Sequence, residues 1–227
     1  MIKAIITDIE GTTSSLAFVK ETLFPYARKH IAEYIRTHEN DPPVQQALAE
    51  IRQITGSGLT TEQIIQTLVQ WIDEDKKITP LKSIQGLVWD NGYHQGHFKG
   101  HIYEDAVNNL KKWKTQGIRI YIYSSGSVHA QKLLFGNTQY GDLNPIFSGY
   151  FDTRIGAKTA TETYQKISTS IAVDPKNCLF LSDIKQELDA AHDAGMKTIW
   201  LVRSGNPNDE AEHKQAVDFD GIELSDF

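Results

Sequence analysis

The apolar positions change period twice along the chain, and the changes divide it into three stretches. The first is the nearly unbroken run Ala4-Ile5-Ile6-Thr7, which ends in Asp8 and is followed by Ile9, Glu10 and the turn residue Gly11. A short apolar run without polar alternation predicts a strand buried on both faces of a parallel sheet. In the second stretch Leu16, Val19, Leu23, Ala27, Ile31 and Tyr34 recur at helical steps, with Pro25 breaking or restarting the helix. Asp41-Pro42-Pro43 is a stop, and Val44, Ala47, Leu48, Ile51 and Ile54 form a second helical face. Gly56-Ser57-Gly58 punctuates before Thr60 or Thr61, either of which can cap a third helix carrying Ile64, Ile65, Leu68, Val69 and Ile72. A fourth periodic segment runs from near Pro80 past Trp89. Residues 16–100 therefore read as an all-helical insertion, with Gly96 and Gly100 suited to its exit.

In the third stretch strands and helices alternate. Tyr103 to Lys114 is helical and stops at Gly117, and Ile118 to Tyr123 is a strand. Ser124-Ser125-Gly126-Ser127 leads into a helix reaching about Phe135. Thr161 to Ile171 is helical, Cys178 to Leu181 is a short buried strand, and Lys185 to Ala194 is a helix stopped by Gly195. Thr198 to Val202 is a strand, and Val217-Asp218-Phe219 is expected to add a short edge element. Short apolar strands joined by helices imply an α/β fold with a parallel sheet. The expected division is a Rossmann-like core of residues 1–15 and 101–227 with a helical cap of residues 16–100.

Composition narrows the function without naming it. Among 227 residues, 40% are hydrophobic and 23% charged, and the formal charge is −6, which argues against a nucleic-acid partner. Cys178 is the only cysteine, so an internal disulfide and a cysteine-rich metal site are excluded; its apolar neighbours make it a small core residue. The opening run lacks a secretory leader's basic start, and no stretch has the ~20 apolar residues of a membrane helix. A cytoplasmic protein with no membrane partner is expected.

The candidate chemistry sits where apolar runs end. Ligands of open α/β sheets gather at the carboxyl ends of the strands, where Asp8, Ser124 and Asp183 fall, with Glu187 one helical turn beyond Asp183. Asp8 and Glu10 are alternate residues of an extended chain at that strand end, so both can face one pocket, and they repel unless a cation joins them or one stays protonated. Singly, Ser124 and Asp183 read as helix caps and Lys158 as a solvated charge. Together, two acids, a hydroxyl and an ammonium can hold a divalent cation and a phosphate. His94, His97 and His101 fall on one expected helical face, but Gly92, Gly96 and Gly100 interrupt it, so a zinc cluster is discounted.

The run Asp8-Ile9-Glu10-Gly11-Thr12 resembles the first motif of the haloacid dehalogenase-like phosphatases, with Glu in the second acidic position. Ser124 matches the second motif, Lys158 the third, and Ser182-Asp183 with Glu187 the fourth. Within that superfamily the chain resembles the enolase-phosphatases of methionine salvage, through Asp8-Ile9-Glu10-Gly11-Thr12-Thr13, Tyr121 to Ser127 and Gln131-Lys132-Leu133-Leu134-Phe135-Gly136. The resemblance implies Asp8 as nucleophile, Glu10 as acid–base, and Ser124, Ser125 and Lys158 on the phosphoryl group. It further implies Mg2+ on Asp8, Asp183 and the main-chain carbonyl of Glu10, with Glu187 orienting Asp183 or Lys158 from behind. The implied partner is a small-molecule phosphate, 2,3-diketo-5-methylthiopentyl 1-phosphate; a monomer is expected. Two other readings are a phosphatase for another small phosphoester and a signalling receiver domain; the ~85-residue insertion counts against the receiver.

Overall fold

The computed structural model describes residues 1–208 and 211–227. The chain divides into two compact units, Met1–Leu16 with Gly100–Phe227, and Ala17–Lys99. In chain order the main elements are β1 (Ala4–Thr7), α1 (Leu16–Phe18), α2 (Phe24–Thr37), α3 (Pro42–Thr55), α4 (Thr61–Asp73), α5 (Thr79–His94), α6 (Glu104–Thr115), β2 (Arg119–Tyr123), α7 (Val128–Gly136), β3 (Gly149–Phe151), α8 (Thr161–Ser170), β4 (Cys178–Ser182), α9 (Lys185–Asp193), β5 (Lys197–Leu201) and β6 (Lys214–Ala216).

In the first unit six parallel strands form one sheet in the order β3-β2-β1-β4-β5-β6. The unbroken apolar run of β1 is explained by its central place, because all four of its residues are buried. Thr7 pairs with Ile122 on one side and Leu181 on the other, so Asp8, Ser124 and Asp183 emerge together at the carboxyl edge. One layer of the core packs Ile6, Tyr123, Phe180, Tyr164, Ile167 and Leu188. Cys178 lies in the same cluster, and burial pushes its thiol up to about 11. Burying such side chains contributes roughly 1.5–3 kcal/mol each.

The second unit is helical. α2 to α5 enclose a core of Ala27, Ile31, Ile35, Val44, Leu48, Ile51, Ile64, Leu68, Trp71, Leu81, Ile84 and Val88. Thr60 closes a capping box on α4, its hydroxyl taking the Gln63 N–H while the Gln63 side chain takes the Thr60 N–H. Pro25 restarts the helix after a widened π turn at Val19–Leu23. Among the described residues no helix is long and apolar enough to cross a membrane.

Several details differ from the sequence reading. Leu16 (44% exposed) and Ile54 (56% exposed) do not join the buried faces, whereas Ile35 and Trp71 do. Leu16 belongs to a three-residue turn and Ile54 to the last turn of α3, where the helical stripe has already rotated outward. The last strand is Lys214–Ala216 rather than Val217–Phe219: Val217 is half-exposed and Phe219 leaves the sheet to stack on Trp113 at 5.6 Å. The edge strand β3 was not expected, being only three residues long.

Candidate active site

Asp8 follows β1 directly, its N–H bonded to the Leu181 carbonyl at 2.9 Å and its side chain almost wholly buried. The extended geometry expected through Glu10 does not occur. The strand ends at Thr7, and Ile9 to Gly11 turn back, with the Ile9 carbonyl accepting from Thr12 N (3.2 Å) and Ser14 N (2.8 Å). Gly11 has φ +72°, and a Cβ there would stand 2.1 Å from Asp183 Oδ2. Only glycine lets the turn lie this close to the Asp183 carboxylate. The Thr13 hydroxyl donates to the Asp8 carbonyl at 3.1 Å. Glu10 is half-buried in this turn, and its charge reaches Asp183.

The end of β2 places Ser124, which is 4% exposed. Its N–H bonds the Phe151 carbonyl at 3.2 Å, and its Oγ accepts the Gly126 N–H at 3.2 Å. Ser125 lies beyond it on the exposed side of the turn. Ser127 caps α7 by accepting the Ala130 N–H. Gln131 braces the turn from behind, donating to the carbonyls of Gly126 (2.8 Å) and Phe151 (2.9 Å).

Lys158 is the electrostatic centre. Its Nζ lies 2.6 Å from Asp8 Oδ1 and 2.7 Å from Glu187 Oε2, with its side chain 10% exposed. Tyr164 donates to its carbonyl at 2.7 Å, and Ser182 Oγ donates to Glu187 Oε2 at 3.0 Å. Burial opposes the Lys158 charge, but Asp8 and Glu187 more than offset it, so its pKa is raised. One ammonium cannot satisfy every carboxylate around it. Burial and then the Asp8 charge push Glu187 up to about 7, against the pull of Lys158 and Ser182. Burial and Asp8 likewise push Asp183 up to about 6.

Asp183 is fixed by its main chain, whose carbonyl accepts the Trp200 indole N–H at 2.9 Å. Its Oδ1 is buried without a hydrogen-bond partner. A buried acceptor left unpaired costs on the order of 1–3 kcal/mol, and a cation between Asp183 and Asp8 removes that cost. The residues therefore fit a hard divalent cation. Among the described residues no three His, Cys, Asp or Glu side chains converge on one point. Two carboxylates with water and a main-chain oxygen suit Mg2+, which keeps several waters, better than zinc.

The geometry thus brings Asp8, Lys158, Glu187 and Ser182 into one bonded group, sets Asp183 against Gly11, and puts Ser124 at the neighbouring strand end. Glu187 touches Lys158, not Asp183 by any hydrogen bond. Sequence reasoning gave no role to Gln131, Trp200 or Arg203, which act on the site's backbone from other elements; Arg203 donates to the Thr12 carbonyl at 2.7 and 3.0 Å. The three histidines do not share a helix face. α5 stops at His94, His97 bonds the Tyr26 hydroxyl, and the His101 ring accepts from Ser15 N.

A profile described as Hydrolase: haloacid dehalogenase-like hydrolase matches residues 2–195. A protein of Thioalkalivibrio sulfidiphilus named Enolase-phosphatase E1 is 56% identical over 222 residues, covering 98% of this chain and 99% of its own length. The Enolase-phosphatase E1 of Yersinia enterocolitica is 49% identical, covering 100% of this chain and 99% of its own. The crystal structure of the UTR4 protein of Saccharomyces cerevisiae superposes with a TM-score of 0.83 at 34% identity, covering 98% of this chain and 100% of that one. CbbY of Rhodobacter sphaeroides, solved in complex with phosphate, shares the fold at 16% identity, with a TM-score of 0.60 and coverage of 97% and 96%.

Proposed function

The chain belongs to the haloacid dehalogenase-like hydrolases and, within them, to the enolase-phosphatase E1 family, and from that premise we propose how its own residues divide the reaction. It is a phosphatase of methionine salvage that enolises its substrate and then removes the phosphate. The observation that carries this is end-to-end similarity at about half identity to relatives of that name. We take the substrate to be 2,3-diketo-5-methylthiopentyl 1-phosphate. Enolisation moves a proton from C1 to the C2 oxygen, and hydrolysis then gives the acireductone 1,2-dihydroxy-3-keto-5-methylthiopentene and phosphate.

In the second half-reaction an Asp8 carboxylate oxygen forms a bond to phosphorus as the bond from phosphorus to the substrate oxygen breaks, leaving an aspartyl-phosphate. Glu10 supplies the proton to the departing oxygen. It then takes a proton from water, whose oxygen attacks phosphorus and frees Asp8. Acid–base help of this kind is worth ~10²–10⁴-fold. Lys158, 2.6 Å from Asp8, neutralises phosphoryl oxygens, and Ser124 and Ser125 bind the same group from the turn after β2. Glu187 holds Lys158 in place. Asp8, Asp183 and the Glu10 carbonyl would hold Mg2+, which when bound supplies charge neutralisation to phosphoryl transfer. What supports the cation is the unpartnered Asp183 Oδ1. On this reading residues 16–100 form the cap, a small-molecule phosphoester is the partner, and the enzyme works as a cytoplasmic monomer.

The test is a product assay on the diketo phosphate beside sugar phosphates and phosphoglycolate, recording enol absorbance and inorganic phosphate on one sample. Wild-type enzyme is expected to prefer the diketo phosphate clearly. Asp8→Asn is expected to keep a slower enolisation while phosphate release falls by at least ~10³-fold. Phosphate release from the whole panel at comparable efficiency reduces the reading to a generic phosphatase. Release by Asp8→Asn at near the wild-type rate, with deamidation excluded by mass spectrometry, removes Asp8 as the nucleophile.

A further inference from the structure

Arg203 lies two residues beyond β5, at the same sheet edge as the site, and no sequence motif contains it. Its side chain is 12% exposed. Nε and Nη2 both donate to the Thr12 carbonyl, at 3.0 and 2.7 Å, and Nη1 donates to Asp105 Oδ2 at 2.7 Å. The guanidinium lies 4.1 Å from the Tyr103 ring centre and 5.3 Å from that of Phe219. Asp105 is itself fixed, since its Oδ2 also accepts the Phe219 N–H at 2.8 Å. The cation is thus held on both ring faces and by a carboxylate, with two charge-assisted bonds aimed at one carbonyl.

That carbonyl belongs to the turn carrying Glu10. Gly11 N to Ser14 O, Thr12 N to Ile9 O and Ser14 N to Ile9 O close the turn upon itself. Such internal bonds fix the turn's shape but not its tilt over the sheet. The tilt is set by tethers leaving the turn, among them the Arg203 fork on Thr12 and the Tyr103 N–H on the Thr13 carbonyl (2.9 Å). Asp8 is anchored separately by β4. A change in tilt therefore moves Glu10 relative to Asp8 while leaving Asp8 in place.

We propose that Arg203 is a positioning residue for the reaction, holding the Ile9–Ser14 turn so that Glu10 meets the atoms bonded to phosphorus. The proposal rests on the roles given above to Asp8 and Glu10. It places the effect of Arg203 on turnover and not on substrate affinity, because Arg203 reaches the turn's backbone and not the phosphate.

Three variants of the Mg2+-loaded enzyme test it: Arg203→Lys, which keeps the charge but not the fork, Arg203→Ala, and Asn109→Ala. Asn109 belongs to the same packing layer, donating to Asp220 Oδ1 and the Asp105 carbonyl, but contributes nothing to Thr12. Displacing a catalytic group by about 1 Å can cost ~10²-fold. Arg203→Lys and Arg203→Ala are expected to lower kcat for phosphate release by about 10–100-fold with KM within about threefold. Added guanidinium ion is expected to restore part of the Arg203→Ala rate and none of the wild-type rate. Asn109→Ala is expected to lower Tm and keep kcat. Hydrogen exchange is read on peptides spanning residues 8–15 and 178–182. Faster exchange in the first alone is expected for both Arg203 variants, and this readout does not depend on the substrate. Unchanged exchange in that peptide, or a kcat loss in Asn109→Ala equal to that in Arg203→Lys, overturns the proposal. A wild-type enzyme that forms no enol from the diketo phosphate overturns the assigned substrate instead, and the exchange result still decides Arg203.

Discussion

The two units of the chain bury different kinds of side chain. Among the described residues of the helical unit, Gln85 is the one buried amide or charged side chain. Its ion pairs include Arg28 with Asp73 and Arg36 with Glu62, both exposed. The sheet unit buries Asp8, Ser124, Gln131, Asp152, Ser182 and Glu187, and closes Lys158 between two carboxylates. Apolar burial orders the helical unit without conflict. The sheet unit gathers Asp8, Asp183 and Glu187 around the single ammonium of Lys158, more carboxylate than that one cation can pair. On the proposed roles, chemistry and the fold's electrostatic stress share one address, and a substitution's effect depends on which unit receives it.

The largest expected effect that sharpens this contrast is at Lys158. Lys158→Ala removes an ammonium from a buried site where such a group is worth ~3–4 kcal/mol of transition-state stabilisation, or hundreds-fold in kcat. Its cost in folding is limited, because Glu187, already pushed up to about 7 by burial and by Asp8, takes a proton once the ammonium is gone. Arg36→Ala removes a cation of equal charge from the helical unit and is expected to leave kcat unchanged. Steady-state kinetics on both variants, with circular dichroism to establish folding, decides the matter. A folded Lys158→Ala with wild-type kcat breaks the contrast.

How much of this was legible in the sequence follows from the range of each interaction. Buried parallel strands announce themselves by short apolar runs, so the strand ends bearing Asp8, Ser124 and Asp183 were readable, and so was the long helical insertion. The geometry of Glu10 was not, because the end of β1 at Thr7 is set by the turn's hydrogen bonds around Ile9 and not by hydrophobicity. β3 was missed because three residues give no period, and β6 was misplaced because Phe219 is apolar for packing on Trp113 and not for pairing. Arg203 joins Thr12 across 191 positions, and no local pattern encodes such a contact. Lys158 reaches Asp8 across 150 and was found only because its motif has a known shape.

A smaller effect should appear in the response to Mg2+ and pH. Asp183 in the folded chain titrates near 6, against an ordinary value of 3.8, through burial and the Asp8 charge. Between those values the folded state binds the proton and the unfolded state releases it. Stability from this group is therefore present at low pH and lost as pH rises from about 4 to about 6. Glu187 carries the loss on towards 7. At the proposed site Mg2+ would compete with that proton and relieve the same repulsion. The Mg2+-induced rise in Tm is expected to be larger at pH 7.5 than at pH 5, with new exchange protection in residues 8–14 and 181–184 and none in 61–73. Equal rises in Tm at the two pH values, measured by calorimetry, would show that the carboxylates are not the cation's site.

The smallest effect tests the helical unit alone. Thr60 and Gln63 satisfy each other's main-chain N–H groups at the start of α4, and Ile64, Ile65, Leu68 and Trp71 then carry that helix into the unit's core. Thr60→Ala removes one half of the box and leaves the Gln63 N–H to water, at a cost of about 1 kcal/mol. That corresponds to about a fivefold rise in the population of open α4, because 1.4 kcal/mol is tenfold. Exchange in residues 61–73 is therefore expected to quicken about fivefold, with β1 and β4 unaltered and kcat within about twofold of wild type. Thr60 and Gln63 bond each other within the helical unit, so nothing in the chemistry should register the loss of this box. If β1 and β4 quicken by the same factor, the two units open as one cooperative block and their stabilities are not separable. If kcat falls while exchange changes only in α4, the order of that helix is part of the catalytic cycle, and the division of labour drawn between the units is wrong.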